Sequence, residues 1–321
     1  MIAFTICSNN YLAKAKVLLD SIKSRENVAV FLFLADQRSE KINYELLGFD
    51  DVIFPTDLEI PNLQWRLENY NIIEFNTSIK AKAFEYLFKI SAAETIYYFD
   101  PDIKVYRKLG DFDMYWKDKS ILLTPHILSP PPFDGCFPEE NLFLNHGIYN
   151  LGFLGLRKTS TSEAFLEWWA CRLQTKCIID LKDGYFTDQI WFNLVPLFFK
   201  DVEVLVHHGF NVAYWNLHER EVHFNNGHPT INDKVDLFFY HFSNFDPHLI
   251  RLMPSEKMRY NFDDKPEVLT LYKDYHDNLN MNSYLNEISI PYYNGNYPLK
   301  KTQNSILKRL IVKISRVINH S

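Results

Sequence analysis

Glycine is scarce in this chain, ten residues in 321, and none of them falls in a G-x-G-x-x-G or G-x-x-x-x-G-K-S/T run. Folds that cradle phosphates on glycine-rich backbone, the dinucleotide fold and the P-loop, are therefore not expected. Cysteine is scarcer still: Cys7, Cys136, Cys171 and Cys177 form no C-x-x-C pair, so neither zinc nor a disulfide framework is called for, and Cys7 reads as a reduced, buried thiol in an apolar strand. No uninterrupted apolar run is long enough to span a bilayer. Met1 to Ile6 lacks a basic flank and reaches the polar Ser8-Asn9-Asn10 too soon for a signal peptide, so a cytoplasmic protein is expected. Basic charge is short over most of the chain. The net charge is −6, yet residues 300–321 hold Lys300, Lys301, Lys308, Arg309, Lys313 and Arg316 with no acid, which leaves 28 bases against 40 acids, or −12, in the first 299 residues. An acidic body does not advertise nucleic-acid binding, and no nucleic acid is expected as a partner.

What is present is apolar and aromatic in abundance, 47% and 16% of the residues, enough for a large core and too much for disorder. Ile2 to Cys7 reads as a short strand, Tyr11 to Lys23 carries Leu12, Ala15, Leu18, Leu19 and Ile22 at helical spacing, and Val28 to Ala35 is a second apolar run ending at Asp36. Strand, helix and strand at this spacing form a βαβ unit, which belongs to an α/β fold with a mostly parallel sheet. Ligands of such sheets bind beyond the carboxyl ends of the strands, where Ser8 to Asn10 and Asp36 sit.

The chain is organised around Thr95 to Val105. Five β-formers run into Asp100-Pro101-Asp102, and a short apolar segment follows, so a buried strand ends at an acidic turn. Two carboxylates this close repel, and a divalent cation beside them relieves the cost; an oxygen site of this kind suits Mg²⁺ or Mn²⁺ held together with substrate phosphates. The plainer alternative is a solvated Asp-Pro turn. Asn76 to Leu87 reads as a helix with Thr77 or Ser78 as N-cap, and Lys80 in its first turn is either a solvent-facing lysine or one that neutralises a diphosphate.

Thr5-Ile6-Cys7-Ser8-Asn9-Asn10-Tyr11, then Ile79-Lys80-Ala81, then Tyr97-Tyr98-Phe99-Asp100-Pro101-Asp102 resemble, in order and spacing, the nucleotide-sugar glycosyltransferases of GT-A fold, in particular bacterial relatives of glycosyltransferase family 8. The resemblance implies a Rossmann-like catalytic domain over 1–253; by its own sequence pattern the rest reads as an accessory helical segment and linker over 254–299 and a basic amphipathic helix over 300–321. The resemblance further implies that Ser8, Asn9, Asn10, Asp36, Lys80 and Asp100 contact the donor nucleotide, with Ser8-Asn9 replacing an acidic pair. Asp100 and Asp102 match the metal-binding D-x-D, and Leu237 to Pro247 resembles a segment whose histidine, here His241, completes the metal site for Mn²⁺ or Mg²⁺. In this chain Asn244 stands where glycine is usual, and no lysine follows.

Asn145 to Leu156 resembles the family's N-x-G strand, and its His146 and Asn150 are able to bond sugar hydroxyls; its glycines equally relieve packing in a crowded strand. Gly184 to Asn193 looks like the family's D-Q-x-x-x-N segment, placing Asp188 and Gln189 beside the anomeric carbon, although an N-cap also accounts for Asp188. Trp215 and Asn216 offer a stacking face and an amide for the sugar or acceptor, against plain core for Trp215. Ser129 to Gly135 is a proline-rich loop that reads as a lid or an acceptor rim. Lys265 to Leu279 reads as a helix and Ser289 to Pro298 as a linker. Over 304–318, apolar Ile306, Leu307, Leu310, Ile311 and Ile314 share one stripe away from Lys308, Arg309 and Lys313, a pattern for lying on the inner face of a membrane or against another subunit.

The implied activity is transfer of a hexosyl residue from a UDP-sugar to a glycan or lipid-linked acceptor in surface polysaccharide synthesis, with retention of configuration as in family 8, where Gln189 or Asp188 would stabilise an oxocarbenium-like transition state; inversion would instead make Asp188 the base that deprotonates the acceptor. A sugar-phosphate nucleotidyltransferase and a non-catalytic glycan-binding protein are the alternatives; the first is disfavoured by the lack of a glycine-rich first loop to grip a triphosphate, the second by the set of polar strand ends.

Overall fold

A computed structural model describes residues 1–246, 248, 250, 257–282 and 285. The expected linker over 289–298 and the amphipathic stretch over 304–318 lie outside the described residues, as does the boundary at 253–254.

The chain opens with β1 (Ile2–Cys7), buried along its whole length. The α1 helix (Leu12–Lys23) then returns the chain to β2 (Ala29–Leu34), which pairs parallel with β1 in register from Ile2↔Ala29 to Cys7↔Leu34. The βαβ unit read from the sequence is therefore formed. A short β3 (Asp51–Ile53) extends the sheet beyond β2. Three helices follow: α2 (Leu63–Asn69), α3 (Ile72–Ser78) and α4 (Lys80–Ile90).

The expected single helix over 76–87 is in fact two. Its cap is neither Thr77 nor Ser78 but Asn71, whose side chain accepts from Glu74 N at 2.9 Å while the Glu74 carboxylate accepts from Asn71 N at 2.9 Å. Thr77 sits inside α3 and its hydroxyl donates back to Ile73 O at 2.8 Å, the usual resting place of a threonine in a helix interior. The break at Ile79 turns α4 so that Lys80 enters the protein rather than solvent.

The rest of the frame is β4 (Thr95–Phe99), β5 (Ile103–Val105), β6 (Ile121–Pro125), α5 (Glu140–His146), β7 (Tyr149–Arg157), α6 (Ser160–Leu173), the short pair β8 (Ile179–Asp180) and β9 (Tyr185–Phe186), α7 (Val195–Phe198) and β10 (Val202–Val204). A three-stranded meander of β11 (Val222–Asn225), β12 (His228–Ile231) and β13 (Val235–Asp236) leads to β14 (Phe239–His241), and α8 (Pro266–Met281) closes the described chain.

Among the described residues the main sheet has the order β10-β6-β7-β4-β1-β2-β3, in which β7 runs against both neighbours and every other pair is parallel. This is the mostly parallel α/β sheet expected. The carboxyl ends of β1, β2 and β4 consequently meet the start of β7 along one edge. Aromatic side chains fill the space between sheet and helices: the Phe4 ring stands edge-on to Phe84 at 4.8 Å and to Phe33 at 5.3 Å.

Outside the main sheet, β14 pairs antiparallel with β5 in the register His241↔Ile103, and this pairing alone brings a residue 139 positions away next to Asp102. The α8 helix holds that pair in place. Its Tyr275 ring stacks on Phe242 at 3.9 Å, the residue after His241, and Asp274 forms an ion pair with Lys104 on β5. Burial of Val268, Leu271, Tyr272, Tyr275 and Leu279 at this contact stabilises it by roughly 1.5–3 kcal/mol per large side chain.

Candidate active site and metal centre

The acidic turn after β4 and the histidine of β14 converge. Ligand atoms of Asp100, Asp102 and His241 lie within 4.8 Å of one another, with His241 Nε2 at 3.1 Å from an Asp102 oxygen and 3.9 Å from an Asp100 oxygen. Two carboxylates and one imidazole nitrogen make a donor set that suits Mn²⁺ or Mg²⁺. Tyr98, on β4, donates its hydroxyl to Asp100 Oδ1, and the Asp100 amide donates to Gly152 O at 2.7 Å, so one ligand is fixed through both its side chain and its backbone. Burial pushes the Asp100 carboxyl up against the opposing pull of Lys80 and His241. Burial works in the same direction on Asp102, yet the adjacent His241 overrides it and holds that carboxyl below its usual range; burial likewise lowers His241, and Asp102 overrides it to raise the imidazole.

Lys80 and Asp188 meet on the wall behind the cluster. Lys80 Nζ lies 2.8 Å from Asp188 Oδ2 with both side chains 2% exposed, donates to Leu151 O at 3.0 Å and sits 4.2 Å from the centre of the Tyr98 ring. The structure turns Lys80 away from solvent and into the cleft lining, where its partner is Asp188. Asp188 carries no capping bond to the turn that follows it. The residue before it, Thr187, holds φ +48°, a left-handed conformation that a β-branched side chain rarely adopts.

The D-Q-x-x-x-N run ties this wall to β7. Gln189 Nε2 donates to His146 O at 2.9 Å while its Oε1 accepts from Leu151 N at 2.9 Å, and Asn193 Oδ1 accepts from Ile148 N at 2.8 Å. His146 ends α5, with Nδ1 2.8 Å from Leu142 O and its ring edge-on to Phe186 at 4.3 Å. Asn150 and Trp215 line the same cleft, which has a volume of about 470 Å³ and includes all three cluster residues together with Lys80, His146, Asp188 and Gln189. Trp215 is 6% exposed and stands edge-on to His241 at 5.3 Å.

A second hollow of about 390 Å³ adjoins the first, sharing Tyr11, Ile73, Thr77, Asp100 and Asp102 with it, and is walled by Ser8 and Asn10. Asn76 Nδ2 donates to Ser8 Oγ at 2.9 Å. Two residues expected at the site are instead placed in its frame. Asn9 is buried behind the hollow, its amide donating to Gln37 O at 2.9 Å and accepting from the Tyr44 hydroxyl at 2.7 Å. Asn216 is fully buried, capping Ala213 N at 3.0 Å and donating to His126 O at 2.9 Å and Asn211 O at 2.8 Å. Asp36 accepts from Asn9 N at 3.0 Å and Gln37 N at 2.8 Å and borders a neighbouring hollow of about 410 Å³. The proline-rich loop is pinned rather than free: Glu219 accepts from Leu128 N at 2.9 Å and from the Ser129 hydroxyl at 2.7 Å, and Arg259 donates to Pro132 O and to both oxygens of Asp134 at 3.0 Å.

Three residues of the site escaped the sequence reading. Tyr11, just past the polar turn, lines both hollows; Tyr98 was read only as a strand residue; and His126, one residue past β6, lines the larger cleft. The alternation of β4 and the polar residue at the end of β6 were the available signals. Burial lowers the His126 pKa to about 3 from an ordinary 6.5. Between those two values the unfolded chain binds a proton that the folded protein refuses, so stability falls as pH drops from about 6.5 toward 3, by up to about 1.4 kcal/mol per pH unit. His126→Gln should lose markedly less stability than the native protein between pH 7 and pH 5 in urea titrations; parallel losses would show that His126 is not held neutral.

No protein-family model matches the chain. Two proteins of Bacillus subtilis (strain 168), both described as uncharacterized, are similar in sequence. YfnF is 27% identical over 154 residues, 47% of this chain and 50% of its own length; YfnD is 26% identical over 301 residues, 88% and 89% of the two chains. Among solved structures, the apo form of the bifunctional glycosyltransferase WbbM matches 89% of this chain and 51% of its own, with a TM-score of 0.50 at 13% identity. The chain thus spans about half the length of YfnF and of WbbM. Together with the sheet order and the acidic end of β4, the likeness in fold defines the class: the chain has the GT-A fold of glycosyltransferases.

Proposed function

We propose that the protein is a metal-dependent glycosyltransferase, related to family 8, that transfers a hexosyl residue from a UDP-sugar to a glycan or lipid-linked acceptor in surface polysaccharide synthesis, with retention. The observation that carries the reading is the convergence of Asp100, Asp102 and His241 from separate strands on the floor of a cleft whose wall holds Lys80 and Asp188. In this reading Mn²⁺ or Mg²⁺ at the three residues supplies the charge that stabilises the departing diphosphate. Tyr98 keeps Asp100 turned toward the cleft, and the smaller hollow walled by Ser8 and Asn10 takes the nucleoside. Asp188 holds the Lys80 ammonium at the cleft wall, so that the pair presents a fixed dipole near the leaving group without reorganisation during reaction. His146, Asn150 and Trp215 shape the pocket for the transferred sugar and its acceptor. In the same reading the stretch over 304–318 contacts either the inner face of the membrane, which would suit a lipid-linked acceptor, or another subunit. No helix among the described residues is long and apolar enough to cross a membrane.

Calorimetric titration of the native protein with UDP, with and without Mn²⁺, tests the reading. Binding that appears only with the metal is the expected result, followed by release of UDP from a UDP-hexose offered in a donor screen. Failure of UDP, GDP and CDP to bind under any metal condition overturns it, and release of pyrophosphate from a nucleoside triphosphate with a sugar phosphate would replace it with nucleotidyl transfer.

A further inference from the structure

His241 has two ring nitrogens, and the cluster at Asp100 and Asp102 needs one particular nitrogen to carry a lone pair. A chain of side-chain amides behind β7 decides which. It begins at two backbone carbonyls, groups that only accept. His146 O receives a bond from Gln189 at 2.9 Å, so that end of the Gln189 amide is its NH₂, and Gln189 Oε1 faces the amide of Leu151 at 2.9 Å and Asn150 Nδ2 at 3.5 Å. Ile148 O lies 3.3 Å from His126 Nδ1, so Nδ1 carries the proton of that neutral ring and Nε2 is left as an acceptor, 3.2 Å from Asn150 Nδ2. Both contacts present acceptors to the NH₂ end of Asn150. Its oxygen then faces the other way, taking the Gly152 amide at 3.2 Å and lying 3.2 Å from His241 Nδ1. An oxygen there requires Nδ1 to carry an N–H in His241, which leaves Nε2, facing Asp102 and Asp100, as the nitrogen that gives up its proton and offers a lone pair when a metal binds.

We propose that His126, Gln189 and Asn150 form a positioning relay that fixes the tautomer and ring orientation of His241 for metal binding. Gln189, expected at the anomeric centre, has both ends of its amide engaged in this relay. Gly152 completes the seat: a Cβ there would lie 2.6 Å from His241 Cε1 and 2.8 Å from both His241 Nδ1 and Asn150 Oδ1, so the imidazole and the amide fit only against bare backbone. Asn150 is thereby the hinge of the arrangement, with donors on its oxygen side and acceptors on its nitrogen side. Leucine at 126 removes the acceptor and frees the Asn150 amide to turn, whereas glutamine is able to keep both bonds, accepting from Asn150 and donating to Ile148 O.

The inference rests on the metal site of the proposed function, and its test uses Mn²⁺ alone, with no nucleotide. Mn²⁺ affinity would be measured by electron paramagnetic resonance on the native protein, His126→Leu, His126→Gln and Gln189→Met, with pulsed detection of ¹⁴N modulation from a bound imidazole and a thermal melt of each. The expected result is a 10–100-fold loss of affinity and loss of ¹⁴N modulation in His126→Leu, a weaker loss in Gln189→Met, and recovery to within about threefold in His126→Gln. Native-like affinity and modulation in both His126→Leu and Gln189→Met overturn the relay. Native Mn²⁺ binding without ¹⁴N modulation removes His241 from the site, and the relay with it, while leaving a carboxylate metal site. Absence of Mn²⁺ binding by the native protein overturns the metal reading itself. If His126→Leu does not fold, the comparison of Gln189→Met with His126→Gln decides.

Discussion

Asp102→Ala is expected to abolish the Mn²⁺-dependent component of UDP binding, with at least a hundredfold loss of affinity in calorimetric titration. Asp102 does two things that no neighbour duplicates. It offers a carboxylate to the cluster, and it holds the His241 imidazole at 3.1 Å, overriding the burial that works against a charged ring. Alanine removes one ligand and loosens a second, leaving Asp100 alone, and a hard divalent ion is not retained by one carboxylate against water. The chain contains a natural control. Asp111-Phe112-Asp113 is a second D-x-D, but it lies in a short helical turn, where Asp111 is paired with Arg107 at 3.0 Å and Asp113 is exposed. Asp113→Ala should leave UDP binding within twofold of native. Equal losses in the two variants would mean that acidic charge in general, rather than the end of β4, is what matters.

The two D-x-D runs mark what a sequence discloses about this site and what it withholds. The first was legible because five β-formers precede it and strand ends of parallel sheets collect ligands; the second lacks that approach. His241 was legible only by resemblance, since nothing in local sequence predicts that β14 pairs with β5 in the register that sets it beside Asp102. Asn9 and Asn216 illustrate the opposite failure. Both are polar residues in promising motifs, and both bond backbone groups instead, because the irregular segments around them leave amides and carbonyls in need of partners. The helix expected over 76–87 starts elsewhere for a local reason: sequence suggested Thr77 or Ser78 as caps, but Asn71 with Glu74 offers a reciprocal pair that begins α3 at Ile72. His126 was missed because one histidine after an apolar strand carries no periodic signal, and its meaning appears only when Asn150 and Ile148 O stand beside it.

The largest effect on stability is expected at Lys80 and Asp188. At 2.8 Å and 2% exposure each, they form a buried pair whose attraction offsets the desolvation of both charges. Lys80→Met leaves the Asp188 carboxylate buried without its cation, and Asp188→Leu leaves an ammonium whose remaining fixed partners are Leu151 O and the face of Tyr98. Each single change should cost about 3–5 kcal/mol in urea denaturation. The double variant Lys80→Met/Asp188→Leu should recover most of that loss, because an apolar pair of similar volume requires no desolvation of charge, and replacing buried ion pairs in this way is often neutral or stabilising by about 1–4 kcal/mol. The four proteins form a double-mutant cycle with a coupling of several kcal/mol. Single variants that each cost less than about 1 kcal/mol would mean that the pair is open to water and not buried as described. Release of UDP from a UDP-hexose separates stability from chemistry: if the pair serves the reaction, the double variant folds as well as the native protein and still fails to turn over, because the fixed dipole beside the leaving group is gone while the core that surrounds it is intact.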